Sequence, residues 1–157
     1  MITIYTDGSS RGNPGPGGWG GVIASGDRVV EIGGGETHTT NNRMELMACI
    51  RSLEFTINNF QFSKIQIHTD SEYVMKGITE WVHNWQRKGW KTAGKRKVLN
   101  QDLWQKLLEV TEGKKVEWKY VAGHSGHSWN ERADEIATSF ADSLVPKLYE
   151  GPKDKYK

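Results

Sequence analysis

Residues 1–7 read MITIYTD, and residues 65–70 read IQIHTD. Both stretches alternate apolar and polar side chains as β-strands do, and each ends on an aspartate, Asp7 in the first and Asp70 in the second. Because a segment with helical spacing lies between them, we expect them to be parallel neighbours in one sheet. Ligands of open α/β sheets gather beyond the carboxyl ends of such strands. The sequence therefore predicts that the two aspartates meet at one edge of a central sheet.

The remaining residues predict an antiparallel meander before this pair and helices around it. Residues 8–18 are too rich in glycine and proline for regular structure, which indicates a tight loop. The fold class is therefore α/β, with a five-stranded mixed sheet of three antiparallel strands followed by two parallel ones, flanked by helices. The further predicted strands are 20–24, 28–35 and 115–121, and the predicted helices are 41–58, 72–76, 80–88, 101–112 and about 129–144.

The bulk composition is that of a soluble globular protein. The chain has 157 residues, of which 36% are hydrophobic and 25% are charged, enough for one domain with a real core. Neither a secretory signal nor a run of membrane-spanning length is visible. Cys49 is the only cysteine, which excludes an internal disulfide and a Cys-based zinc site. We expect a cytoplasmic monomer with no membrane partner, and a flexible tail over residues 146–157.

The positive charge of the chain is concentrated in residues 87–97, RKGWKTAGKRK. This run holds six basic side chains and no acid, whereas the whole chain carries a net charge of only +2. Such a local excess indicates an anionic partner that binds at one place, although a basic run can also be a solvated face. Trp81 and Trp85 precede the run at helical spacing, which is more typical of core residues than of a ligand platform.

Four carboxylates are candidates for one metal site: Asp7, Glu45, Asp70 and Asp134. Each has a local alternative, such as a turn or helix cap for the aspartates on the strands and a capping box between Asn42 and Glu45. Together they occupy two strand ends and two helices that can pack beside them. A cluster of acids is costly unless a cation neutralises it, and hard divalent ions such as Mg²⁺ prefer oxygen ligands. The joint pattern favours a metal site.

Five strings in this order and spacing resemble the bacterial type 1 ribonucleases H (ribonuclease HI). They are TDGS at 6–9, GNPGPGG at 12–18, TNNRMEL at 40–46, TDS at 69–71 and GHSGHSWNERAD at 123–134. The resemblance covers residues 1 to about 143. It implies a ribonuclease H-like fold, with a catalytic domain over residues 1–145. It also implies an endonuclease that hydrolyses the RNA strand of RNA–DNA hybrids.

The same resemblance implies roles for the four acids and one histidine. Asp7 would bridge two Mg²⁺ ions, Asp134 would help hold the ion that activates water, and Glu45 and Asp70 would hold the ion beside the leaving oxygen. Such ion pairs stabilise both oxygens of an in-line displacement; the implied products carry a 5′-phosphate and a 3′-hydroxyl, and Mn²⁺ is the expected substitute ion. His124 would be a mobile catalytic histidine. Its His-x-x-His pair with His127 also admits a zinc reading, but the loop offers no cysteine.

Substrate contacts follow from the resemblance as well. Short amides can both donate to and accept from the 2′-hydroxyls of RNA in its shallow minor groove. Residues 85–97 would form a protruding handle on the backbone of the DNA strand, in which two tryptophans accompany the bases. The implied contacts are Gly12, Asn13, Asn41 and Asn42 for RNA, Thr40 and Asn100 for a DNA phosphate, and Trp85, Arg87, Lys88, Trp90, Lys91, Lys95, Arg96 and Lys97 for the handle.

Three departures from the common pattern of the family involve four positions. His38 stands where many relatives have an arginine that helps to hold the DNA phosphate. Glu72 replaces a glutamine common beside the catalytic Asp70, and it adds charge near metal and RNA. Ser10 and Arg11 also differ from the commoner pair. None of these changes removes a candidate metal ligand.

Two other functions fit part of the sequence. A non-catalytic hybrid-binding module would not need four acids and His124 beside a phosphate, because uncompensated negative charge weakens such binding. A DNA-cutting nuclease of the same fold, such as a transposase or integrase core, would lack the handle and the amides suited to 2′-hydroxyls. Both are weaker readings than hybrid cleavage.

Overall fold

The computed structural model of the protein describes residues 1–92, 94, 96–122 and 128–156. Its strands form one mixed sheet, in the order β5-β4-β1-β2-β3-β6. The sheet thus has six strands rather than the five that the sequence predicts. The strands are β1 (Ile2–Ser10), β2 (Gly15–Ser25), β3 (Arg28–Thr39), β4 (Ile65–Thr69), β5 (Val116–Tyr120) and β6 (Glu150–Pro152).

Helices cover both faces of the sheet, which confirms the predicted α/β class. A π-helical turn over Gly77–Trp81 joins two short helices that the sequence predicts as separate, and a 3-10 turn over Lys153–Lys155 ends the described chain. The helices are α1 (Asn41–Asn59), α2 (Glu72–Lys76), α3 (Val82–Arg87), α4 (Gln101–Thr111) and α5 (Ser128–Ala141). Among the described residues, no helix is long and apolar enough to cross a membrane.

The two faces of the sheet carry different cores. Side chains of α1, α2, α3 and α4 pack with Ile2, Ile4 and Ile23 on one face, where Trp104 is fully buried. On the other face, Ala133 and Ile136 of α5 pack with side chains of β1, β2 and β3. The alternation along β1 and β2 thus divides their residues between two layers of helix.

The parallel pairing of β1 with β4 is confirmed. Its register runs from Ile2 opposite Ile65 to Tyr5 opposite His68. β4 ends at Thr69, whereas β1 continues beyond Asp7 to Ser10 in antiparallel pairing with β2 alone. Asp7 therefore lies inside its strand rather than at its end, but it is level with Asp70 where the parallel pairing stops.

The glycine- and proline-rich segment is not the long loop that its composition predicts. Its two flanks, residues 8–10 and 15–18, are paired residues of β1 and β2, and the irregular part shrinks to residues 11–14. Local preference disfavours strands of this composition. Tertiary packing reverses that preference here, because the segment lies in the centre of the sheet under two helices.

Close packing explains the glycines of β2. A Cβ atom at Gly18 would lie 2.6 Å from Cβ of Phe140 and inside contact distance of the carbonyl oxygen of Ala137. A Cβ atom at Gly20 would lie 2.7 Å from the carbonyl oxygen of Ala133. Only glycine lets the backbone of α5 approach the sheet this closely. The depth at which α5 sits is therefore set by β2.

The C-terminal residues also differ from the expected flexible tail. β6 pairs antiparallel with β3, from Arg28 opposite Pro152 to Val30 opposite Glu150. Gly151 is buried, and Tyr149 and Tyr156 pack against the α5 side of the sheet. The sequence signal of punctuating prolines and lysines does not reveal this order, because the partner strand is more than 100 residues away.

Replacement of Gly18 by alanine is expected to destabilise the fold. The added methyl group meets helix backbone, which cannot rotate away, so we expect the free energy of unfolding to fall by about 1–3 kcal/mol. Urea denaturation followed by circular dichroism measures the change. Gly94→Ala is the matched control, because its Cβ atom would meet nothing closer than 3.9 Å. Equal effects of the two substitutions would contradict the close-packing argument.

Candidate active site

Three of the four predicted carboxylates meet at the carboxyl end of the β1–β4 pair. One ligand oxygen from each of Asp7, Glu45 and Asp70 lies within 4.8 Å of the other two. Asp7 and Glu45 are each only 5% exposed, and Asp70 is half-buried. The sequence prediction that these acids converge is therefore confirmed in its geometry.

The aspartate after β4 is held by the turn into α2. The side chain of Ser71 caps α2 by accepting from the backbone N–H of Val74 at 3.1 Å, and the N–H of Ser71 donates to Oγ1 of Thr69 at 3.1 Å. Asp70 lies between these two anchored residues. The cap is Ser71, so Asp70 is not needed as a helix cap, which was its local alternative.

Glu45 enters the cluster because α1 begins directly against β1. The N-cap of α1 is Thr40, whose side chain accepts from the N–H of Arg43 at 3.2 Å. The capping box between Asn42 and Glu45 therefore does not form. Glu45 lies in the second turn, and it is buried against the strand rather than folded back on the helix end.

Gly8 is a functional position that the sequence reasoning missed. A Cβ atom there would lie 2.8 Å from Cα of Glu45 and closer still to the helix backbone. The N–H of Gly8 donates to Oδ1 of Asp7 at 2.9 Å. Gly8 thus brings two acids of the cluster together. The available signal was its place directly after Asp7 in TDGS, which is also explained by a simple turn.

Asp134 approaches the cluster from the opposite face of the sheet. It lies in α5, half-buried, and it adds to the rise in the pKa of Asp7 that burial and the charges of Glu45 and Asp70 cause. α1 and α5 therefore bring one acid each to the two aspartates of the parallel strands.

The cluster is electrostatically strained in the absence of a cation. Burial, followed by the charges of Glu45 and Asp70, raises the pKa of Asp7 far above its ordinary value. Burial and the charge of Asp70 likewise raise the pKa of Glu45. In addition, Oε1 of Glu45 is buried and has no hydrogen-bond partner among the residues that the structure describes. The ionised forms of Asp7 and Glu45 are therefore unfavourable in this arrangement without a cation.

Three residues of the sequence prediction lie outside the described part of the chain. His124, predicted to be catalytic, and His127 belong to the segment 123–127. Lys95, predicted to contact DNA, lies in the basic run. Their predicted roles stay predictions.

The predicted amides line one small cavity of about 240 Å³. The backbone N–H of Asn41 donates to Oδ1 of Asn13 at 2.9 Å and joins the β1–β2 loop to the start of α1. The side chain of Asn100 accepts from Arg43 at 3.3 Å and donates to the hydroxyl of Tyr73 at 3.1 Å. The cavity is lined by Asn13, Thr40, Asn41, Asn42, Leu99 and Asn100.

The positions that depart from the family pattern are exposed or lie on the surface. His38 is exposed near the end of β3, and it is not among the residues that line the amide cavity. Glu72 is the exposed first residue of α2, where a negative charge also favours the helix. Arg11 forms a two-bond ion pair with Asp142 at 2.6 and 2.7 Å, and Gly12 follows in an exposed turn.

The basic run forms a loop supported by tryptophans. The rings of Trp85 and Trp90 are half-buried against the core on the α1 side, and the centroid of Trp85 lies 5.7 Å from that of Trp104. The loop is closed by a bridge between Lys91 and Lys97 and by a bond of 3.2 Å from the N–H of Val98 to the carbonyl of Trp90. The described bases of the loop are all exposed: Arg87, Lys88, Lys91, Arg96 and Lys97.

The fold superposes on the solved structures of two RNases H1. LC9-RNase H1, a type 1 RNase H with the type 2 active-site motif, superposes with a TM-score of 0.82 at 32% identity, over 98% of this chain and 79% of that one. LC11-RNase H1, solved in complex with an RNA/DNA hybrid, superposes with a TM-score of 0.70 at 25% identity, over 91% and 98%.

Sequence comparison gives the same family. The model of the RNase H family matches residues 1–142. The chain is 57% identical to a ribonuclease H of Caulobacter sp. (strain K31), over 87% of this chain and 86% of that protein. It is 54% identical to a ribonuclease HI of Caulobacter vibrioides, over 94% and 97%. The chain therefore belongs to the RNase H family of enzymes.

Proposed function

We propose that this chain is a metal-dependent endonuclease that hydrolyses the RNA strand of RNA–DNA hybrids and leaves 5′-phosphate and 3′-hydroxyl ends. The observation that carries the proposal is the buried cluster of Asp7, Glu45 and Asp70, whose ligand oxygens lie within 4.8 Å of one another. A hybrid-binding module would gain nothing from it, because uncompensated acids repel phosphate.

The donor set suits hard divalent ions, and we propose that two of them bind with the substrate. All of the ligand atoms are carboxylate oxygens, which suit Mg²⁺ or Mn²⁺ better than a softer metal. The unpartnered Oε1 of Glu45 is a ready ligand. Asp7, Glu45, Asp70 and Asp134 would hold the ions, which supply charge stabilisation to the attacking and departing oxygens of the phosphodiester. We further propose that Mg²⁺ serves as the metal ion, with Mn²⁺ as a substitute, and that the enzyme is a cytoplasmic monomer.

The chain's own residues account for the choice of strand. The amide cavity presents Asn13, Asn41 and Asn42, which can donate to and accept from 2′-hydroxyls that DNA lacks. The exposed bases of residues 87–97 can follow a phosphate backbone, and Thr40 with Asn100 can hold one phosphate. These two surfaces favour a duplex with one RNA strand over double-stranded DNA.

A strand-specific cleavage assay tests the proposal. With Mg²⁺, a hybrid labelled on either strand should be cut in the RNA only, and chelator should abolish the cut. Asp7→Asn and Asp70→Asn should each lower the rate by about 100-fold or more, as expected for loss of a group that stabilises transition-state charge. Asp154→Asn, which changes an exposed aspartate of the 3-10 turn, is the control. Cutting of both strands, or full activity of Asp70→Asn, would refute the proposal.

The stability of the metal-free protein should depend on pH in a direction set by the cluster. The pKa values of Asp7 and Glu45 are raised from 3.8 and 4.5, so the folded state keeps protons that the unfolded chain releases. This stability is complete below those ordinary values and is lost as the pH rises through the raised pKa values of the folded state.

Thermal melts in chelator should therefore show falling stability from about pH 5 to pH 8. Saturating Mg²⁺ should restore it at pH 8, since the ion binds the folded state. Asp7→Asn replaces a group that must stay protonated in the fold by one that is always neutral, so it should raise the free energy of unfolding at pH 8 by about 1–3 kcal/mol. A metal-free protein that is most stable at pH 8 would contradict the electrostatic reading.

The basic loop should govern hybrid affinity rather than turnover. The double substitution of Lys91 and Lys97 by alanine should weaken binding and reduce the slope of log affinity against log salt by about 2, because each lysine neutralises about one phosphate. Turnover at saturating hybrid should be unchanged. Lys114 and Lys115, exposed in the turn before β5, give a control pair with the same loss of charge. A salt slope that falls equally in both pairs would contradict a role specific to the loop.

A further inference from the structure

The C-terminal residues 147–156, here called the clasp, are tied to the sheet at both ends. The N–H of Glu31 donates to the carbonyl of Tyr149 at 2.8 Å, and the N–H of Lys153 donates to the carbonyl of Asp27 at 2.6 Å. β6 lies between these bonds and completes the edge of the sheet beside β3. The clasp is thus an ordered part of the fold, beyond the residues 1–142 that the family model matches.

The clasp closes on one buried carboxylate, that of Glu31. The side chain of Glu31 is 2% exposed and pairs with Arg132 through two bonds, of 2.8 and 3.0 Å. Two further bonds come from the clasp: the N–H of Tyr149 donates at 2.9 Å, and the hydroxyl of Tyr156 donates at 2.6 Å. Arg132 in turn donates to the carbonyl of Lys147 at 2.9 Å. The clasp therefore provides half of the bonds to Glu31 and one acceptor for Arg132.

The same contacts reach the start of α5. Arg132 lies in α5, two residues before Asp134. The ring of Tyr156 packs edge-on against Trp129 of the first turn of α5, with centroids 5.9 Å apart. Trp129 in turn packs edge-on against Tyr5 of β1 at 5.7 Å. The clasp thus contacts α5 at two points one turn apart, on the stretch that leads to Asp134.

The contacts end at the strands that carry the other acids. Tyr5 stacks on His68 of β4, with centroids 4.3 Å apart and planes 21° apart. Tyr5 lies two residues before Asp7, and His68 lies two residues before Asp70. A continuous set of packed rings therefore links the clasp to both strands where their parallel pairing stops.

We propose that the clasp positions Asp134 against Asp7 for metal binding by holding the first turn of α5 on the sheet, with Glu31, Arg132 and Tyr156 as positioning residues. None of the three touches the reacting atoms; each acts through the placement of α5. Partners that orient metal ligands in this indirect way commonly change metal affinity or activity by 10- to 100-fold when removed. The inference rests on the proposed function, because it takes Asp134 to be a metal ligand.

Two substitutions at position 156 in the full chain test the proposal. Tyr156→Phe removes only the hydroxyl that donates to Glu31, whereas Tyr156→Ala also removes the ring against Trp129. We expect Tyr156→Ala to lower the affinity for Mn²⁺ in the absence of hybrid by about 10-fold, as measured by titration calorimetry. We expect it to lower kcat by about 10-fold as well. Tyr156→Phe should give smaller changes in the same direction, and the KM for hybrid should not change in either variant.

Glu150→Gln is the matched control within the clasp. Glu150 pairs only loosely with Arg28, at 3.6 Å on the surface, so the change should leave Mn²⁺ binding and kcat as they are. Hydrogen exchange of the backbone amides over residues 129–138 gives a readout independent of activity. It should become faster in Tyr156→Ala and remain unchanged in Glu150→Gln.

The outcomes separate the two proposals. The two variants at position 156 are measured at a temperature where both are folded. If neither changes the Mn²⁺ affinity, kcat or the exchange rate, the proposed role of the clasp is wrong, even if the melting temperatures fall. The proposed function would not be affected by that result. If Tyr156→Ala does not fold, Tyr156→Phe decides the question by the same measurements. If the unmodified chain binds no Mn²⁺ and cuts no hybrid, both the proposed function and the proposed role of the clasp are wrong.

Discussion

The structure depends on how closely two helices approach the sheet. α1 meets β1 at Gly8, and α5 meets β2 at Gly18 and Gly20, where any larger residue would collide with helix backbone. These contacts set the depth of both helices, and so they decide whether Glu45 and Asp134 reach the aspartates of the strands. The positions of the candidate metal ligands therefore depend on close packing, since a methyl group added under either helix would displace one of them.

The carboxylate cluster lowers the stability of the folded state, and interactions in the surrounding fold must offset this loss. Burial and mutual repulsion raise the pKa of Asp7 and of Glu45, which means that the charged forms are unfavourable without a cation. Ordinary interactions hold the backbone around the cluster. The N-caps Thr40 and Ser71 fix the starts of α1 and α2, and an extensive core packs under α1. Strain of this kind persists at functional sites only where the rest of the structure fixes the backbone.

Substrate recognition is divided between a rigid and an extended surface. The amide cavity lies at the start of α1, close to Glu45, and its residues are fixed by bonds such as that from Asn41 to Asn13. The basic loop projects from a tryptophan cluster that includes the fully buried Trp104. Specific contacts to 2′-hydroxyls need fixed geometry, whereas contacts to phosphate need mainly charge. The amide cavity, which needs fixed geometry, therefore lies at the helix that carries Glu45. The basic loop, which needs mainly charge, belongs to a later part of the chain.

Much of this followed from sequence, because the signals involved are local. The alternation of apolar and polar residues predicted β4 at its observed bounds, and helical spacing predicted the bounds of α1 and α4 to within one residue. The strings shared with the family indicated which acids would converge. Besides the role of Gly8, two features of the chain's course were not predicted. The glycine-rich residues flanking 11–14 are strand rather than loop, because helix packing overrides their weak strand preference. The C-terminal residues are ordered, because Glu31 and Arg132, 101 residues apart, form a partly buried ion pair to which Tyr156 adds a hydrogen bond. The sequence by itself determined most of the helices and strands and the identity of the candidate acids. Only the tertiary structure decided the depth of the helices and the position of the chain end as a sixth strand, since both depend on contacts between residues distant in sequence.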